Sequence, residues 1–134
     1  MQAKIIKTIL AHYPQTQAIY LFGSYGTADE WPDSDVDIAL LLPPEQAKAK
    51  KNLLLSQCCF DLEDALSKEV DLLNARQVAT VFQKEIIGGD CIYNAAPYAV
   101  AEFEMLVISY YQKLNEERRD ILAEFQRTGR AYAV

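Results

Sequence analysis

Apolar positions along the chain change their period from segment to segment, and each period predicts an element. Ile5, Ile6, Ile9, Leu10 and Tyr13 recur at helical spacing over residues 2–13, and Pro14 ends that helix. Ile19 to Phe22 is an unbroken apolar run of strand length, and a second run closes at Leu42 before Pro43-Pro44. Pro44 suits the first turn of a helix expected to reach about Lys68, with Leu54, Cys58, Leu62 and Ala65 or Leu66 as its apolar stripe. Residues 69–73 predict a third strand, with Val70 and Leu72 on one face and Asp71 on the other. Asn74 is expected to cap a helix over about 77–87, with Val78, Val81, Phe82 and Ile86 on one side and Gly88-Gly89 as its stop. Asp90 to Tyr93 reads as a brief extended segment. From Pro97 to about Thr128 the pattern is one helix, Gly129 lying past its end. Phe103, Val107, Tyr110, Leu114, Ile121 and Phe125 mark its seam. At about 1.5 Å per residue it would be roughly 45 Å long, more than a small domain can cover. The sum is an α+β sandwich, a short mixed sheet with helices on one side and a long C-terminal helix, in a single domain over residues 1–134.

Two acids interrupt the second apolar run, and an unpaired acid in a strand is costly unless it binds a cation or a partner. Asp35 and Asp37 share one strand face while Val36, Ile38 and Leu40 share the other. Their stems, about 7 Å apart by the strand rise, can converge on hard cations such as Mg²⁺. The first run ends at Gly23-Ser24, where a glycine lets backbone approach a phosphate and a serine offers a hydroxyl donor. A calcium loop starting at Asp33 would need glycine sixth and glutamate twelfth, where Ile38 and Pro44 stand. The competing reading makes each acid structural, tied to an arginine or a backbone N–H. Three structural acids beside a glycine-serine turn would be a poor coincidence.

Gly23-Ser24, ten intervening residues and then Asp35-Val36-Asp37 resemble the GS-x10-DxD signature of the DNA polymerase β-like nucleotidyltransferases. Leu21-Phe22 and Pro32-Asp33-Ser34 further resemble the small bacterial MNT antitoxins encoded with HEPN toxins. The resemblance is specific over residues 18–42, extends to Val70–Leu73, and beyond that is one of helical pattern only. It implies a polymerase β palm and transfer of AMP from ATP to a tyrosine of a partner HEPN ribonuclease. It implies Gly23 and Ser24 at the triphosphate, and two Mg²⁺ ions held by Asp35, Asp37 and Asp71. Asp71 is implied on the acceptor side, where it can take the proton of the attacking hydroxyl. Such relatives commonly carry GSxARG at the turn, whereas Thr27 stands here at the arginine position, a hydroxyl in place of a charged fork.

Composition then removes other classes. Across 134 residues the net charge is −6, against the basic surface that phosphate backbones demand, so no nucleic-acid partner is expected. His12 is the only histidine, so neither a serine-histidine-aspartate triad nor a histidine zinc site can be built. Cys58, Cys59 and Cys91 form no CxxC pair and leave an odd thiol, which fits a reducing, cytoplasmic setting. No apolar run near ~20 residues supports membrane insertion, and no leader pattern supports export. Trp31 reads as a loop anchor, a lid over the nucleotide or a partner contact. The acceptor is expected to be a protein in a hetero-oligomer. Two further classes stay open: a non-catalytic antitoxin that occludes its partner, and a stand-alone nucleotidyltransferase for a small hydroxyl compound.

Overall fold

The computed structural model describes residues 2–23, 35–49 and 56–128. Ser24, Thr27, Trp31, Asp33 and Leu54 lie outside them. The elements are α1 (Gln2–His12), β1 (Ala18–Phe22), β2 (Val36–Leu41), α2 (Pro44–Ala49), α3 (Gln57–Leu66), β3 (Val70–Asn74), α4 (Thr80–Ile87), β4 (Asp90–Asn94) and α5 (Pro97–Thr128).

The four strands lie in the order β3-β2-β1-β4. β1 runs antiparallel to β2, from Ala18 opposite Leu41 to Phe22 opposite Asp37. β4 is also antiparallel to β1, with an irregularity between Ile19 and Tyr20. β3 lies parallel to β2, which sets Asp37 beside Asp71. The sheet is therefore mixed, and its two central strands are the two longest apolar runs.

Both faces of the sheet are covered. On one, Ile19, Leu21, Ile38, Leu40 and Leu72 pack against Ile5 and Ile9 of α1 and Cys58 and Leu62 of α3. On the other, Tyr20, Phe22, Ala39 and Leu41 meet Ile86 of α4 and Val100, Phe103 and Val107 of α5. This corrects the expectation of helices on one side. β1 is apolar and buried at all five positions, so burying a single face would leave Tyr20 and Phe22 in water. Each large side chain so buried stabilises by about 1.5–3 kcal/mol.

Two helix boundaries also differ from expectation. The predicted helix from Pro44 to Lys68 restarts at Ser56, whose extended backbone (φ −81°, ψ 157°) caps α3 and whose hydroxyl accepts from the Cys59 N–H at 3.3 Å. A helix-starting cap in mid-pattern outranks continuous periodicity. α3 ends at Leu66 because Ser67 turns left-handed, φ 54°. Asn74 does not cap α4: it is the last residue of β3, and its Nδ2 donates to the Ala47 carbonyl at 2.9 Å. Ala79 holds the cap position of α4 without a side-chain bond.

Tertiary polar contacts fasten the edges of the sandwich. His12 Nε2 pairs with Asp61 Oδ2 at 2.6 Å and joins the end of α1 to α3. Arg76 donates from Nε to the Leu42 carbonyl (2.6 Å) and from Nη2 to Gln17 Oε1 (2.7 Å), its guanidinium lying 5.6 Å from the Phe103 ring centre. α5 spans 32 residues as expected, and among its described side chains the buried ones lie in its first part. Val100, Phe103 and Val107 are buried, while Tyr110 is already 57% exposed.

Candidate active site

The acids reach one end of the sheet because of strand direction. β1 arrives at that end, and β2 and β3 depart from it in parallel, so Asp37 and Asp71 stand as register partners near the starts of their strands. Asp37 is on the same sheet face as Ala39 and Leu41, the face covered by α4 and α5. It is half-buried, whereas Asp71 is exposed. Asp35 is exposed and immediately precedes β2. Among the described residues no three acidic, histidine or cysteine side chains form a ready-made metal cluster. The close pair is Asp37 with Asp71.

Electrostatics at the pair are one-sided. The Asp37 carboxyl is pushed up to about 6, first by loss of solvent, then by the neighbouring Asp71, and further by Asp35 and Glu85. Every charge acting there is negative. Two hard carboxylate groups side by side, repelling one another beside open space, are the donor chemistry a divalent magnesium ion takes. The residues present therefore fit such a cation.

Gly23 closes the site against β1. Its φ of 78° is left-handed, and a Cβ there would overlap the Asp37 carboxylate, so the turn requires glycine for both backbone and space. A cavity of about 350 Å³ is lined by Phe22, Gly23, Asp37, Asp71, Leu73, Phe82 and Glu85. A second, of about 480 Å³, continues past Gly23 and Glu85 to Gly88, Gly89 and Asp90. Gly89 belongs to a close approach as well, since a Cβ there would meet the Leu21 carbonyl.

Of the residues singled out from sequence, the structure brings Gly23, Asp37 and Asp71 around one cavity and leaves Asp35 at its edge in the chain. Ser24 lies outside the described residues. Sequence periodicity assigns Phe82 to a packing face and gives Glu85 no role, yet both line the cavity. In fact Phe82 is 53% exposed and Val81 41%, and only Ile86 of that helix is buried. The signal that could have found them is a helix carrying Phe82 and Glu85 one turn apart directly after the Asp71 strand. Cys58, by contrast, is a core group, its thiol pushed up to about 12 mainly by burial.

Comparison with known proteins identifies the family and the fold. Residues 4–98 match the family described as Polymerase beta, Nucleotidyltransferase. Over 119 residues the chain is 33% identical to the protein adenylyltransferase MntA of Shewanella oneidensis, covering 89% of this chain and 83% of that protein. A crystal structure of a toxin-antitoxin with AMP-PNP aligns with a TM-score of 0.72 at 30% identity, covering 93% of this chain and 98% of the other. The tri-AMPylated Shewanella oneidensis HEPN toxin in complex with MNT antitoxin aligns with a TM-score of 0.66 at 30% identity, covering 93% and 95%. Among the described residues no helix is long and apolar enough to cross a membrane. With a family match over most of its length and a shared fold, this chain belongs to the polymerase beta nucleotidyltransferase family and is a homologue of a protein adenylyltransferase.

Proposed function

We propose that the chain is an antitoxin that transfers AMP from ATP to a tyrosine hydroxyl of a partner HEPN ribonuclease toxin and so neutralises it. The observation that carries this reading is the Asp37–Asp71 pair, repelling across adjacent strands at a cavity that Gly23 borders. The MntA relative, and the AMPylated HEPN toxin in complex with MNT antitoxin, support both the reaction and the partner.

In this reading the tyrosine oxygen attacks the α-phosphorus of ATP, a new P–O bond forms, and the bond to pyrophosphate breaks. Gly23 and Ser24 hold the triphosphate through backbone N–H groups and the hydroxyl. Asp35 and Asp37 would hold the two Mg²⁺ ions, and Asp71 would complete the set on the acceptor side. Bound magnesium supplies charge neutralisation for the triphosphate and the leaving pyrophosphate. Asp71, exposed at the cavity, accepts the proton of the tyrosine hydroxyl. The whole chain acts as one unit in a cytoplasmic hetero-oligomer, with no nucleic-acid ligand.

Mass spectrometry of the co-purified partner, with and without ATP and Mg²⁺, is the direct test. The expected result is a gain of one or more AMP units with the wild type. Asp37→Asn should reduce that gain more than about 100-fold, since even groups that merely support metal ligands cost 10- to 100-fold when removed. An unmodified partner under all conditions, with the toxin still silenced, would transfer the reading to occlusion.

A further inference from the structure

Phe82 is the one exposed aromatic side chain lining the carboxylate cavity among the described residues. α4 carries it there by running back from the far end of β3, where Gln83 Nε2 donates to the Ala75 carbonyl at 2.9 Å, toward Gly88-Gly89 beside β1. Ile86 anchors the helix in the core, while Phe82, outside that core, lines the cavity. Leu73, two residues beyond Asp71 on the same strand face, supplies a second apolar surface in that cavity. Apolar wall and carboxylates thus meet at Asp71. The second cavity, toward Gly88, Gly89 and Asp90, excludes Phe82, Leu73 and both aspartates of the pair.

We propose that Phe82 and Leu73 form the binding wall for the aromatic ring of the acceptor, placing a phenolic hydroxyl at Asp71. This rests on the proposed function and deepens it by assigning how the acceptor is recognised. A phenol presents a flat apolar ring with one polar atom at its tip, which matches an aromatic edge and a leucine beside a proton acceptor. A nucleobase is the other flat occupant such a wall can take, and the KM for ATP tells the two apart. Serine or threonine would leave Phe82 without a contact. Phe82 is therefore a specificity-determining residue on the acceptor side, sharing with Asp71 and Leu73 the cavity that Gly23 also borders.

The test is steady-state transfer from labelled ATP to the HEPN partner purified with the full chain, comparing wild type, Phe82→Ala and Phe82→Tyr. Phe82→Ala should lower kcat/KM for the partner at least tenfold while the KM for ATP stays within twofold, and Phe82→Tyr should restore most of the loss. Thermal melts matching the wild type show that the fold is intact, as an exposed side chain implies. A smaller loss in Phe82→Ala, a loss expressed in the KM for ATP, or no rescue by tyrosine would overturn this assignment while leaving the proposed function standing. Absence of any transfer by the wild type overturns the functional reading itself, and this assignment with it.

Discussion

At the scale of single residues, Asp37 is where structure and chemistry oppose each other most directly. Its carboxyl is raised to about 6 because burial and then Asp71 disfavour the charged form. An acid raised on folding binds more protons folded than unfolded between its ordinary value of about 4 and that raised value. Its contribution to stability is thus fully present below about 4 and is lost as pH rises through about 6. The cation-free protein should melt lower at pH 7 than Asp37→Asn does, with the gap closing toward pH 4, as read by thermal unfolding across that range. Equal pH slopes in the two proteins would show that the strain at Asp37 is absent in solution. Much of this site is legible in sequence: the acid in an apolar strand announces itself by its cost. That Asp37 and Asp71 are the close pair, with Asp35 at the strand's edge, depends on strand register, which no local pattern encodes.

At the scale of elements, the helices show how local chemistry redirects periodicity. α3 begins at Ser56 because a hydroxyl there satisfies the Cys59 N–H, one of the helix's first four donors. Ser56→Ala should cost about 1 kcal/mol, measured as a shift in the urea midpoint with an unchanged slope. α4 shows the reverse case. The apolar positions Val78, Val81, Phe82 and Ile86 read as one packing face, yet Val78 precedes the helix, Val81 and Phe82 are substantially exposed, and only Ile86 of α4 is buried. Hydrophobic periodicity marks which residues share a helix face, but it does not distinguish a face against the core from one that lines a cavity. Asn74 departs from the expected cap for a related reason, since a residue suited to capping is equally suited to bonding a distant carbonyl such as that of Ala47.

At the scale of the whole molecule, two cores flank one sheet, and α5 belongs to the second only through Val100, Phe103 and Val107. Asn115 to Ala123 are all exposed. Replacing Ile121 and Leu122 by Ala should therefore change unfolding stability by no more than about 0.5 kcal/mol each, checked by urea denaturation against the full chain. The same substitutions should weaken retention of the HEPN partner on co-purification if the outer helix is part of the docking surface. Helices on both sides follow from a β1 strand that is apolar on every side chain. Such a strand asks for cover on each face and says nothing about which helix supplies it.

Sequence alone determined the glycine-serine turn, the acids in apolar strands, the long final helix and hence the family resemblance, because each of these is a local pattern with a local energetic reason. Only the tertiary structure decided the strand order β3-β2-β1-β4, the pairing of Asp37 with Asp71, and the arrival of Phe82 and Glu85 at their cavity. These are long-range contacts, set by which apolar faces bury together once the chain has closed its loops, and no short window of residues contains that information.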